Sequence, residues 1–298
     1  MAFTYKITVF TPTYNRKYII DKLYQSLLCQ TSFDFEWLIV DDGSTDDTKG
    51  YFDEICAKDN PFPIRYFYKE NGAKHKAINY GVERAQGEVF FIVDSDDSLT
   101  PDAIEKIGVW AGQVCGEENC AGVAGTRGYT KEKRIGSYYT GDTAYVDATN
   151  LEREKYNLLG DKAEAYFTKV LKKYPFPEFE NERFLTEEVV WNQIAMDGLY
   201  LRWYPDIIYI GDYLGDGLTK AGDKKYQDNP KGTLLWSKQQ LAIYKKGFKK
   251  RTLAINRYYK AVKGKKSVKE MAKELGVSAC RCRIAIFTVK VGKLLTRS

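Results

Sequence analysis

The sequence predicts an α/β fold on a mostly parallel sheet, and three observations carry that prediction. Four short apolar segments, residues 7–11, 35–40, 64–68 and 89–93, alternate with three stretches of helical periodicity. Such alternation implies βαβ units with right-handed crossovers. The fourth segment, Val89-Phe90-Phe91-Ile92-Val93, is continuously apolar, as in a strand buried on both faces. Finally, segments one, two and four each run into polar residues at their carboxyl ends, where open α/β sheets bind ligands.

Each element has its own signal. Residues 7–11 make the first strand, closed by Pro12 and the turn-like Thr13-Tyr14-Asn15-Arg16. Ile20, Leu23, Tyr24, Leu27 and Leu28 then fall on one helical face. Residues 35–40 form the second strand and end in Asp41-Asp42-Gly43-Ser44. Ser44 followed by Asp47 has the spacing of a capping box and predicts a helix running to about Cys56. After the strand at 64–68, Asn71-Gly72 turns the chain, residues 74–85 read as a helix, and Gly87 breaks it before the strand at Val89. Thr100-Pro101 marks the start of another helix.

The run Asp94-Ser95-Asp96-Asp97 packs three carboxylates into four positions at the end of the fourth strand. They repel one another, and burial raises their pKa values unless a cation neutralises them. Oxygen-only ligands suit Mg²⁺ or Mn²⁺, and Mg²⁺ often bridges carboxylates to substrate phosphates. A solvated turn leading into the helix at Thr100-Pro101 is the plainer alternative. The topology lets the strand ends share one crevice, gathering Pro12 to Tyr14, Asp41-Asp42 and Asp94 to Asp97.

Composition narrows the classes. At 298 residues the chain can bury a large core, as one domain or two. It has no Gly-x-Gly-x-x-Gly after the first strand and no Gly-Lys-Ser/Thr loop, so nicotinamide and nucleoside-triphosphatase fingerprints are missing. Six cysteines show no zinc-type pairing. Met1 to Arg16 lacks the pattern of a secretory signal, and no apolar run reaches the roughly 20 residues of a membrane span, so a cytoplasmic location with reduced thiols is expected. Charge is unevenly spread. Residues 1–230 hold 27 Lys and Arg against 38 acids, a balance of −11, whereas residues 231–298 hold 19 against 2, a balance of +17. So basic a tail points to an anionic partner.

The order Pro12-Thr13-Tyr14-Asn15, then Val40-Asp41-Asp42-Gly43-Ser44, then Asp94-Ser95-Asp96-Asp97 resembles the family 2 glycosyltransferases of the GT-A fold. The likeness is close over about residues 5–110 and weaker to about residue 220. Residues 71–79 also look like a segment of bacterial surface-polysaccharide members. The resemblance implies a Rossmann-like, mostly parallel sheet flanked by helices, and a UDP-sugar donor held with Mn²⁺ or Mg²⁺. On these positions it implies that Tyr14 stacks on the base and Asp42 accepts the uracil imide proton. Asp94 and Asp96 would be the Asp-x-Asp pair, Asp96 nearest the metal and Asp97 able to share either role. Pro12, Asp41 and Ser95 would complete the donor pocket, with Lys74 or His75 adding positive charge beside the diphosphate. His75 is the chain's single histidine, and a helix-surface or capping role is the plainer alternative for it.

The second half must supply an acceptor pocket and a base. Residues 182–191, which include Thr186-Glu187-Glu188, resemble the family's Glu-Asp segment at a helix start, with Glu188 in the place of the catalytic aspartate. Glutamate there departs from the pattern, its extra methylene moving the carboxylate by about 1.5 Å, which leaves Glu187 as an alternative base. Thr186 capping a helix whose N-terminus favours both acids is the structural alternative. The histidine that some relatives add to the metal shell has no counterpart after His75. Residues 211–219 are Gly-rich, following a strand at 206–210, and read as a lid or an ordinary loop.

The expected organisation is a donor half over residues 1–110, an acceptor half over 111–229 and a basic helical appendage over 230–298. Apolar residues between Ile284 and Thr296, interrupted by lysines, suit an anionic membrane surface rather than a span. Ser267 with Glu270 forms a capping box, and Gly276 suits the turn of a helix-turn-helix. The following helix carries Ile284, Ile286, Phe287 and Val289 where base-reading side chains would stand, so no nucleic-acid partner is expected. Together these expectations describe an inverting, metal-dependent transferase acting on a saccharide or lipid-linked acceptor. Its setting would be bacterial capsule or exopolysaccharide assembly, peripheral on the inner face of the plasma membrane. The rival enzyme class is a nucleotidyltransferase acting on sugar phosphates, which usually needs a Gly-rich phosphate loop near the first strand.

Overall fold

A computed structural model describes residues 3–211 and 222–295. The chain divides into two compact units, Met1–Pro175 with Val190–Asp212, and Phe176–Val189 with Tyr213–Ser298.

The described residues of the first unit form nine strands: β1 (Tyr5–Thr13), β2 (Phe35–Asp41), β3 (Ile64–Tyr68), β4 (Gly87–Ile92), β5 (Ser98–Leu99), β6 (Cys120–Gly128), β7 (Val146–Ala148), β8 (Lys162–Phe167) and β9 (Tyr200–Ile210). They form one sheet in the order β3-β2-β1-β4-β8-β6-β9-β5, with β7 on β9. The β3-β2-β1-β4 half is parallel throughout, because each strand returns through a helix: α1 (Asp21–Leu28), α2 (Thr48–Cys56) and α3 (Lys74–Arg84). The other half is mixed: β8 runs antiparallel to β4 and β6, while β6 and β9 are parallel. Helix α4 (Ala103–Gln113) follows β5, α5 (Thr168–Leu171) follows β8, and α6 (Glu188–Met196) precedes β9.

The parallel half has the continuous apolar strands its sequence required. All seven residues of β2 are buried, and Phe10 of β1 stacks on Phe90 of β4 at 4.8 Å between centroids. One acid inside it, Glu36, is fully buried and satisfied from three directions. It accepts hydrogen bonds from Thr8 Oγ1 at 2.6 Å, the Gln86 amide at 2.6 Å and Arg65 Nη1 at 2.7 Å. A buried carboxylate is tolerable only with such partners, and these three tie β1, β3 and the entry to β4 onto β2.

Two expectations need correction. Ser44 and Asp47 do not make a capping box: Asp47 occupies the N-cap position without a side-chain bond, and Ser44 Oγ instead accepts the Asn15 amide at 2.8 Å. The hydroxyl serves a loop-to-loop tie that spacing along one segment does not encode. Gly87 is the first residue of β4 rather than a breaker ahead of it. A Cβ there would lie 2.2 Å from the Thr8 backbone nitrogen, so glycine is needed for close strand approach.

The described residues of the second unit include the helices α7 (Lys224–Gln227), α8 (Pro230–Ile243), α9 (Phe248–Val262), α10 (Val268–Leu275) and α11 (Ala279–Leu295). Trp236 and Leu241 of α8, Ile255 and Tyr258 of α9, Met271 and Leu275 of α10, and Ala285 and Ile286 of α11 supply its core. Ser237 Oγ donates to the Ala254 carbonyl at 3.0 Å, and Asn256 Nδ2 to the Ala285 carbonyl at 2.8 Å. The expected box at Ser267 and Glu270 is present, and Gly276 ends α10 in the left-handed region at φ +68. Among the described residues no helix is long and apolar enough to cross a membrane.

Candidate active site

The parallel strands end on one side of the sheet, and their terminal loops are bound to one another. The Thr13 carbonyl accepts the Asp42 amide at 2.8 Å. Asn15, at φ +53, receives the Thr45 amide on its side-chain oxygen at 2.7 Å and the Asp46 amide at 3.3 Å. Asparagine is one of the few residues that reach this region cheaply. Tyr14 stands between these ties with its side chain 47% exposed, an aromatic surface open to a flat ligand. Gly43, at φ +87, meets the Asn71 backbone so closely that a Cβ would lie 2.7 Å from its nitrogen.

The two acids after β2 have different surroundings. Asp41 is buried, with Oδ1 accepting the Ser44 amide at 2.7 Å and Oδ2 the Tyr66 hydroxyl at 2.6 Å. Burial and this bond raise the Tyr66 phenol well above its usual range. Asp42 lies under the start of α3 and takes Lys69 Nζ at 2.6 Å and the Gly72 amide at 2.9 Å on one oxygen. Its other oxygen takes the Ala73 amide at 2.7 Å. A carboxylate accepts about four hydrogen bonds, so Asp42 keeps capacity for one more donor. Ala73 is held at φ 105 and ψ 156, a region essentially restricted to glycine, directly beneath the Lys74 and His75 turn.

After β4, Asp94 and Asp96 are half-buried while Ser95 and Asp97 are buried. Asp94 Oδ1 pairs with Lys74 Nζ at 2.6 Å. Burial alone would raise its pKa, but Lys74 and Arg127 outweigh burial and hold it below the usual carboxylate range. Asp96 goes the other way: burial, then the charge of Asp94, raises it. Asp97 is committed to the protein. Its Oδ2 accepts Arg127 Nη2 at 2.6 Å and the Tyr209 hydroxyl at 2.7 Å, and burial pushes it up to about 6. Tyr209 also accepts the Asp94 amide at 2.9 Å, and Arg127 lies 4.0 Å over its ring. Arg127 and Tyr209 thus fix the loop carrying Asp94 and Asp96. Both were missed at the sequence level, their one signal being an arginine inside an otherwise small and apolar segment.

The donor set fits a hard divalent cation. Asp96 is raised by burial and by its neighbour's charge, the condition a cation relieves, and such ions take one or two carboxylates plus substrate oxygens. Among the described residues no group of three or more His, Cys, Asp or Glu side chains is arranged to hold a metal without that help. Thr13 Oγ1 and Arg127 Nε are buried here without a hydrogen-bond partner. His75 is buried in the first turn of α3, rather than on its surface.

In the second unit, both oxygens of Glu188 are held by α8, Oε2 by Trp236 Nε1 and Oε1 by Gln240 Nε2, each at 2.8 Å. Glu187, beside it, is half-buried. The Gly-rich stretch expected at 211–219 lies outside the described residues beyond Gly211. Gly211 packs on Asp97, where a Cβ would stand 2.3 Å from Oδ1.

Comparison with known proteins agrees with this geometry. The profile of glycosyl transferase family 2 matches residues 8–135. Glycosyltransferase GlyG of Streptococcus pneumoniae is 30% identical over 217 residues, 68% of this chain and 69% of that protein. The GalNAc(5)-diNAcBac-PP-undecaprenol beta-1,3-glucosyltransferase of Campylobacter jejuni is 30% identical over 195 residues, 64% of this chain and 58% of that protein. Other curated relatives are matched over less of their length: an uncharacterized glycosyltransferase of Rickettsia felis is 43% identical over 100 residues, 34% of this chain but 16% of that protein. Among solved structures, Staphylococcus aureus TarS 1-349 in complex with UDP-GlcNAc superposes with a TM-score of 0.62 at 17% identity, covering 96% of this chain and 92% of that one. The mannosyltransferase PcManGT from Pyrobaculum calidifontis, in complex with GDP-Man and Mn²⁺, gives 0.54 at 17% identity, covering 99% and 82%. The chain belongs to glycosyl transferase family 2 and has the GT-A-like fold of those structures.

The strained Ala73 gives a test of the cradle under α3. Its conformation costs about 1–3 kcal/mol, against about 0.5–1 kcal/mol of extra backbone entropy for glycine. Ala73→Gly is therefore expected to raise stability by about 1 kcal/mol. Urea unfolding reads the shift, and an unchanged or lowered midpoint contradicts the strain.

Proposed function

We propose that this protein transfers a sugar from a UDP-activated donor to a saccharide acceptor, with inversion, using a divalent cation held by Asp94 and Asp96. The observation that carries the reading is the half-buried Asp94–Asp96 pair at the end of β4, set beside Lys74. Tyr14 offers its ring to the nucleobase, and the remaining capacity of Asp42 suits the imide N–H. When bound, Mn²⁺ or Mg²⁺ supplies Lewis-acid stabilisation of the departing diphosphate. Lys74 adds positive charge at the same place, while Arg127 and Tyr209 keep the aspartate loop from moving as charge develops there. Glu188 removes the proton of the attacking hydroxyl, with Glu187 as the alternative. The bonds from Trp236 and Gln240 fix the orientation of its carboxylate. Donor binding is assigned to residues 1–110, the acceptor to 111–229 and attachment to 230–298.

The acceptor is proposed to be a saccharide on a polyprenyl diphosphate, as in capsule or exopolysaccharide assembly at the inner face of the plasma membrane. Its support is the undecaprenol-linked saccharide in the name of the Campylobacter jejuni relative, together with the basic residues 231–298. The outward stripe of α11 carries Ile284, 50% exposed, and Phe287, 67% exposed, between Arg281 and Arg283 on its exposed side. An apolar stripe flanked by cations suits an anionic bilayer surface.

Three measurements test this reading. In a nucleotide-sugar panel with Mn²⁺ or Mg²⁺, UDP release is expected from a UDP-sugar and falls to background with EDTA. Release from none of them removes the donor assignment. Glu188→Gln should bind UDP as the parent does while transfer drops by about 10²-fold or more, and retained turnover moves the base elsewhere. Ile284→Glu with Phe287→Glu should abolish sedimentation with phosphatidylglycerol vesicles, whereas undiminished sedimentation rules out attachment through this stripe.

A further inference from the structure

An arginine of the second unit forms no ion pair with any described residue. Arg257, in α9, lies between two rings, with Cζ 4.0 Å from the centroid of Tyr226 and 4.3 Å from that of Trp236. Its Nε is buried without a hydrogen-bond partner. No described residue forms an ion pair or hydrogen bond with its guanidinium. The neighbouring acids are engaged otherwise, Glu188 with Trp236 and Gln240, and Asp223 with Lys260. Arg251, on the same helix, shows the ordinary solution, donating to the Leu241 carbonyl at 2.8 Å. Leaving a buried donor unmade costs about 1–3 kcal/mol, which an apolar residue between the rings would avoid.

A second cation shares the same aromatic surface. Lys225 Nζ stands 5.7 Å from the Tyr226 centroid and 5.0 Å from that of Phe184. Burial, then the charge of Arg257, lowers its pKa. Two cations gathered on one ring repel, and a multivalent anion removes that repulsion while filling the open guanidinium donors. Phosphate oxygens match a guanidinium in geometry as well as charge. The half-buried rings of Phe184 and Tyr226 favour a phosphate carrying an apolar substituent over a fully hydrated ion.

We infer that Arg257, on its Tyr226–Trp236 platform and with Lys225 beside it, forms a diphosphate-binding site in the second unit, whose ligand is the diphosphate joining a saccharide acceptor to its prenyl chain. The identity of the ligand rests on the lipid-linked acceptor proposed above, but the existence of the site does not. The test therefore measures binding without turnover. The full chain is saturated with UDP and Mn²⁺ to fill the donor site, then titrated with farnesyl diphosphate, inorganic pyrophosphate or phosphatidylglycerol vesicles. Farnesyl diphosphate is expected to bind more tightly than pyrophosphate. Arg257→Gln should weaken both by about tenfold or more, Lys225→Gln should weaken them less, and Arg257→Lys should recover part of the loss. UDP affinity serves as the folding control for each variant. Equal binding by parent and Arg257→Gln overturns the site, as does a loss shared with UDP. A loss confined to the vesicles overturns it too, by making Arg257 a general lipid contact. If diphosphate binding behaves as expected but no prenyl-diphosphate-linked saccharide is ever glycosylated, the site stands and the acceptor reading falls.

Discussion

Gathering like charges at the ends of buried strands is the constraint around which the first unit is built. Asp41, Asp42, Asp94, Asp96 and Asp97 follow β2 and β4, where the sheet leaves little water to screen them. Each is compensated separately. Asp41 is capped by an amide and a phenol, Asp42 by Lys69 and two amides, Asp94 by Lys74, and Asp97 by Arg127 and Tyr209. Asp96 has no such side-chain partner among the described residues, and burial and the charge of Asp94 both raise it. The protein neutralises the other four and leaves the remaining demand for positive charge at Asp96.

That division explains what could be read from the chain beforehand. The β1-to-β4 half was legible because its strands are short apolar runs and its helices have a clear period, and both signals are local. The acids stood out for the same reason, being consecutive. Their sorting was not legible. Asp97 looks equivalent to Asp94 and Asp96 until β6 and β9 bring Arg127 and Tyr209 to it from 30 and 112 residues away. Those strands themselves are poorly signalled: β6 reads Cys-Ala-Gly-Val-Ala-Gly-Thr-Arg-Gly, with irregular register, and β9 contains Pro205. Ser44 failed as a cap for the related reason that its partner, Asn15, lies across the crevice.

The second unit has the opposite electrostatic character. Its acids are outnumbered by its cations, and several are engaged within it: Glu270 closes a capping box, Glu274 meets Tyr258 and Lys266, and Glu188 is clasped by α8. A helical unit with so much unbalanced positive charge stabilises itself by aromatic contact, with Lys250 over Tyr244 and Arg257 over Trp236. Cation–π contact offsets the cost of burying an arginine without cancelling its charge. The field of that charge therefore stays available to whatever approaches.

Asn15 makes the β1 and β2 loops a single mechanical body. Its carboxamide oxygen serves two amides of the opposite loop while its own amide holds Ser44, which in turn caps Asp41. Tyr14 is thereby carried on a hinge-free mount: the ring can turn about its own bonds, but its backbone cannot shift without dragging the Asp41–Ser44 turn along. Tolerance of the fold to substitution should accordingly be uneven across adjacent positions, wide at the exposed ring of Tyr14 and narrow at Asn15.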